Sequence, residues 1–131
     1  MLVAMEKAGM TIDWNLTLKQ IQLEKIVNEC SKVIELNPKS TFAYSNRGQS
    51  YLKLGRYDQA IDDFSTVIRL NPESEIAYSN RASAYCYNGQ SNLAIADLNK
   101  SIQLNPEYAP AYYNRASAYI DKGWYETCLR S

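Results

Sequence analysis

Between Thr41 and Pro72 the apolar residues return at every third or fourth position. Tyr44, Gly48, Tyr51 and Leu52 form one stripe, and Ala60, Ile61, Phe64, Val67 and Ile68 form a second. That spacing predicts two amphipathic helices. Gly55, between the stripes, can end a helix in the left-handed conformation at no steric cost. Asp58 then falls in the first turn of the second helix, where a negative charge suits the dipole. Asn71-Pro72 closes that helix, because proline disfavours helical geometry in the residue before it. The predicted unit is a hairpin of two antiparallel helices, about 14 residues each, joined by a very short turn.

The pattern then recurs. AYSNRGQSY at 43–51 returns as AYSNRASAY at 77–85 and as AYYNRASAY at 111–119, and Asn37-Pro38, Asn71-Pro72 and Asn105-Pro106 keep the same 34-residue step. A fixed period of this size marks a solenoid: one hairpin exposes an apolar face, and stacked copies bury it for one another. Helices are expected at about 41–54, 57–70, 75–88, 91–104 and 109–122.

The residues that carry the period resemble the tetratricopeptide repeat (TPR) family. Its signature reads here as Tyr44-x-x-Arg47-Gly48-x-x-Tyr51, then Ala60-x-x-x-Phe64, then Pro72. Tyr78, Arg81, Ala82, Tyr85, Ala94, Leu98 and Pro106 repeat it. Tyr112, Arg115, Ala116 and Tyr119 begin it again, with Cys128 where alanine is expected. Two slots depart from the commonest pattern, with tyrosine in place of tryptophan and arginine in place of leucine. The resemblance covers 41–131 well and 16–38 in part. It implies an all-α fold, a right-handed α-solenoid of stacked helix-turn-helix hairpins, and a role in protein binding.

The two ends read differently from the middle. Residues 1–15 are expected to form an irregular or frayed lead, because Trp14 and Thr17 occupy the slots of Gly48 and Tyr51. Leu23, Ile26, Val27, Cys30, Val33, Ile34 and Leu36 make a clean apolar face that predicts a long helix over roughly 16–36, standing in for a cap on the stack. The domain is thus expected over 16–131, with a partial repeat at 16–38, repeats at 41–74 and 75–108, and a truncated repeat at 109–131. Trp124 to Ser131 reads as the start of a second helix, too short to be stable unless packed. Ile120, Trp124 and Leu129 are therefore the expected self-association surface, most simply through a two-fold contact between C-terminal ends.

Composition removes most other functions. The 131 residues hold 14 basic and 14 acidic side chains, so no net field favours nucleic acid or an anionic membrane. No apolar run is long enough to span a bilayer, and the N-terminus lacks the form of a secretory signal. Three widely spaced cysteines read as small hydrophobes of a reducing compartment, and a cytoplasmic location is the expectation. Histidine is absent, there is no Gly-rich phosphate loop, and no cluster has metal-ligand spacing. Asp62-Asp63 is no carboxylate dyad, because adjacent helical residues do not face each other. Neither an enzyme, nor a cofactor, nor a metal site is expected. Asn15-Leu16-Thr17 and Asn99-Lys100-Ser101 match the glycosylation pattern by chance.

The recurring polar set is what remains. Asn46, Asn80 and Asn114 follow the repeated tyrosine by two residues, away from the buried stripe. In TPR stacks the first helices line the concave face, so the resemblance puts these amides along one groove. Helix spacing of about 8–10 Å approaches the rise of three extended residues, and each amide can match a peptide unit's C=O and N–H. Phe42, Ser45, Gln49 and Ile76 share that face by register. So do Ser79, Ser83, Tyr87, Tyr113 and Ser117, with Lys53, Pro110 and Asp121 beside them. Some family members hold acidic chaperone tails with a clamp of lysines, arginine and asparagines. Here those slots hold Ser45, Gln49, Asn80, Pro110 and Asn114, so the clamp is missing.

Arg47 precedes Asp63 by 16 residues and Arg81 precedes Asp97 by the same interval, which predicts two ion pairs in phase across the hairpins. The expected function is a protein-interaction module that binds an extended peptide in its concave groove. The alternative is a structural unit that self-assembles through its incomplete C-terminal repeat.

Overall fold

A computed structural model describes residues 13–130, with side chains over 13–123. Six helices follow in chain order: α1 Trp14–Leu36, α2 Thr41–Lys53, α3 Tyr57–Leu70, α4 Glu75–Tyr87, α5 Ser91–Leu104 and α6 Ala109–Arg130. Each packs on the next in sequence, and in addition α4 meets α6 and α2 meets α4. The first helices of the repeats therefore share one side of the stack, while α3 and α5 lie apart on the other.

Repeated local chemistry sets the helix boundaries. Ala43 N–H donates to Ser40 Oγ at 3.3 Å and Ala77 N–H to Ser74 Oγ at 3.2 Å, so α2 and α4 carry the same serine cap. Asp13 caps α1 through Leu16 N–H, which starts that helix before the expected lead has ended. Asn37, Asn71 and Asn105 do more than precede a proline. Their N–H groups bond back to Val33, Val67 and Ser101, and their side-chain oxygens accept from the backbone two residues on. Gly55 and Gly89 both sit at φ +77°, and the next N–H reaches back to Tyr51 and Tyr85 at 2.8 Å. This is the 6→1 bond that closes a helix on a left-handed residue.

Gly123 occupies the same slot and behaves otherwise. The helix runs through it to Arg130, so the expected second helix from Trp124 does not form. A turn there would give up backbone hydrogen bonds. At Gly55 and Gly89 a packed helix follows and offsets that loss; past Gly123 the described backbone stays helical.

The core is built from small–large pairs across each hairpin. A methyl on Gly48 would come within 2.7 Å of the Phe64 ring. In the next repeat alanine and leucine take the two slots, and both Ala82 and Leu98 are fully buried. Arginine staples hold successive hairpins together. Arg47 donates from Nε and Nη2 to Asp63 at 2.8 and 2.7 Å, and from Nη1 to Ser31 at 3.1 Å. Arg81 repeats this with Asp97 at 2.7 Å twice and Ser65 at 3.2 Å. Tyr44 and Tyr51 stack near one guanidinium, Tyr78 and Tyr85 near the other. The carboxylate partners were expected from spacing; the serine of the preceding hairpin was not. Each arginine thus ties three helices.

α1 takes the place of the second helix of a preceding repeat, packing on α2 as α3 packs on α4. It is not a polar cap. Ile21, Ile26 and Val33 lie exposed on it, because among the described residues α1 meets no helix but α2.

Candidate functional site: the concave face

The staples fix the rotation of α2 and α4, Arg115 ties α6 to Asn99, and that rotation decides which side chains reach the shared face. Phe42, Ile76 and Tyr113 stand out from it, with Phe42 and Tyr113 more than three-quarters exposed. Asn46 and Asn80 are half-buried at its floor, and their amides bond to no other described residue. Gln49 and Ser117 are exposed, and Ser45 and Ser83 half-buried. Lys53 and Asp121 are the charges that the register puts on this face.

Two expected groove residues are otherwise engaged. Ser79 is buried, only 3% exposed, and its hydroxyl accepts from Asn114 Nδ2 at 3.2 Å. It is a link between α4 and α6 rather than a contact for a ligand. Asn114 consequently offers its remaining amide atoms and not a free amide, so the ladder of three is two open amides and one tied one. Ser79 sits close enough to α6 to be covered because α4 and α6 approach more closely than α2 and α4 do.

Between α4 and α6 the face deepens into a pocket of about 260 Å³ walled by Ser83, Cys86, Tyr87, Tyr113, Asn114, Ser117 and Asp121. Tyr87 is braced from outside by Tyr57, whose ring stacks on it at 5.7 Å and 14°. Sequence reasoning missed Cys86. It takes the slot that leucine fills at position 52, and its smaller side chain opens the floor. Burial, and then the Asp121 charge, push the Cys86 thiol up, so it stays neutral at ordinary pH.

The other polar constellations are structural. Ser101 is fully buried and donates to the Glu75 carbonyl at 2.8 Å, while Asn99 accepts from Arg115 at 3.0 Å. The glycosylation match at 99–101 is thus spent on packing. Among the described residues no three acidic, cysteine or histidine side chains gather as a metal set, and no helix is long and apolar enough to cross a membrane.

The comparisons agree with this geometry. A tetratricopeptide repeat model matches residues 41–74 and a second TPR repeat model matches 82–123. No curated protein shows significant sequence similarity to the chain. Among solved structures, the TPR domain of Arabidopsis OM64 is 26% identical with a TM-score of 0.70, over 79% of this chain and 86% of that one. The first TPR domain of human RPAP3 superposes with a TM-score of 0.77 at 21% identity, over 86% and 89%. The second human RPAP3 domain, solved with the HSP70 peptide SGPTIEEVD, gives 0.72 at 21% identity, over 90% and 94%. With 34-residue hairpins in phase, their signature residues in the core and family models matching most of the repeat region, the chain belongs to the tetratricopeptide repeat family.

Proposed function

We propose that the protein is an interaction module that holds an extended, largely uncharged segment of a partner along α2, α4 and α6. The observation that carries this reading is the row of open amides, Asn46 and Asn80, in phase beneath the exposed Phe42, Ile76 and Tyr113. An amide at each step can serve a backbone without demanding a sequence, and the pocket at Tyr87 and Tyr113 suits one apolar or aromatic side chain. The RPAP3 domain carries an acidic-tailed peptide, and that choice does not transfer. The clamp slots hold Ser45, Gln49, Asn80, Pro110 and Asn114, which supply no cation for a terminal carboxylate. Selection of a random peptide library on the immobilised chain should enrich neutral, extended sequences with one bulky apolar side chain. Asn46→Ala combined with Asn80→Ala should weaken a selected peptide by about 1–3 kcal/mol, the loss of two hydrogen bonds. Unchanged affinity in that double variant removes the groove reading.

A second reading has its own observation. At the C-terminal end Ile120 is exposed, whereas its counterparts Leu52 and Cys86 are half-buried. Self-association through this end would cover it. The Trp124 and Leu129 side chains, expected to share that surface, lie outside the described ones.

A further inference from the structure

Compared with the arginine staples, the two outermost described helices each present an open face. In Arg47 and Arg81 the Nε and Nη2 edge holds an aspartate of the following helix, and Nη1 holds a residue of the preceding one. Arg115 keeps the second contact, from Nη1 to Asn99, and its ring contact with Tyr112 at 5.5 Å. Its Nε and Nη2 edge meets no partner among the described residues. The neighbouring slots are bare as well. Gly48 and Ala82 are buried but Ala116 is exposed; Tyr51 and Tyr85 are half-buried but Tyr119 is exposed. Among the described residues no second helix packs on this face of α6.

α1 is the converse. Counting back one period from Ala60, Asp63 and Val67 gives Ile26, Glu29 and Val33. The first three are buried; the last three are exposed, and Glu29 forms no ion pair with any described residue. Among the described residues no first helix packs on this face of α1, which carries a carboxylate in the aspartate slot.

We propose that a second copy of the chain covers both open faces: α1 of one copy packs antiparallel on α6 of another, with Glu29 on Arg115, to form a hairpin between molecules. The proposal rests on the self-association reading and names its partner surface. Register supports it independently of charge. α1 has 23 residues and α6 has 22, against 13 or 14 in the other helices. With Glu29 placed opposite Arg115 as Asp63 lies opposite Arg47, Leu36 falls beside the start of α6 and Trp14 beside Arg130. The two long helices then match end to end, and the run through Gly123 has a use. Because α1 and α6 lie at opposite ends of the described stack and do not meet each other, such a contact runs head to tail and does not close as a two-fold pair. Because α1 already packs on α2 in the manner of α3 on α4, the solenoid continues from copy to copy.

Sedimentation over a dilution series should show the wild-type chain growing past a dimer as concentration rises. Glu29→Arg and Arg115→Glu should each raise the concentration needed for association by about a hundredfold, the effect of one close like-charge contact. Both changes in one chain should restore it. Val33→Glu blocks the α1 face and Tyr119→Glu the α6 face, at positions exposed in the free chain. Each alone should be monomeric, and an equimolar mixture should stop at a one-to-one dimer. Circular dichroism confirms that every variant is folded. A wild-type chain that is monomeric throughout overturns self-association altogether. Association of Val33→Glu at wild-type strength overturns the head-to-tail partner alone and leaves a contact between C-terminal ends.

Discussion

Replacing Arg81 by leucine should cost far more than removing the aspartate charge it pairs with. Asp97 is 7% exposed and takes both its short hydrogen bonds, at 2.7 Å, from this one guanidinium. In Arg81→Leu a carboxylate remains buried with no cation, a situation that costs about 3–5 kcal/mol. Asp97→Asn leaves the positive charge instead, on a side chain 20% exposed and able to reach water, with Ser65 still accepting. That loss is about 1.5–3 kcal/mol, the worth of hydrogen bonds to a charged group. The double variant removes both charges and should be less destabilised than the sum, with a coupling of about 2 kcal/mol. Arg115→Leu is the internal control: with Asn99 as its hydrogen-bond partner, it should cost under about 1 kcal/mol in the dilute chain. Urea unfolding followed by circular dichroism measures all four. Additive losses at 81 and 97, or an Arg115→Leu loss equal to that of Arg81→Leu, would refute the staple.

Three further expectations follow from the same packing. Gly48→Ala drives a methyl into Phe64 and should destabilise by about 1–2 kcal/mol in thermal melts despite alanine's better helix propensity; adding Phe64→Leu, the pair found in the next repeat, should recover most of it. Gly89→Ala should cost about 1 kcal/mol because its φ is +77°, whereas Gly123→Ala, with open space around it inside a helix, should stabilise by about 0.5–1 kcal/mol. The Cys86 thiol is raised above its usual 9.0 in the folded chain, so the unfolded chain loses its proton first as pH rises. Stability is then fully present below about pH 9 and falls above it. Cys86→Ala should flatten that fall in urea titrations, and a slope unaffected by the change would contradict the burial.

What was legible in the sequence is what the period repeats. Residues spaced 34 apart report on one another, so the hairpins, the Gly55 and Gly89 turns and the Arg47–Asp63 pair could be read from spacing alone. Ser31, Ser65 and Asn99 are also in phase, but serine and asparagine are common on helix surfaces and gave no sign of binding arginine. Gly123 misled because a glycine slot records where a turn can form, not that it forms, and here the backbone runs helical through it. On the concave face the row of exposed side chains was readable. Ser79 was not, since its burial depends on how closely α4 and α6 approach. Cys86 shows the opposite limit: a pocket is made by a side chain that is smaller than its counterpart, which a pattern of apolar positions scores as equivalent.

The central claim is that a partner lies across the first helices of the repeats. Amide chemical-shift mapping of the isotope-labelled chain with a library-selected peptide tests it most directly. The account predicts shifts confined to α2, α4 and α6, strongest near Asn46, Asn80 and Tyr113, and reduced by Asn46→Ala with Asn80→Ala. Shifts centred on α3 and α5, or unaffected by that double change, would contradict it.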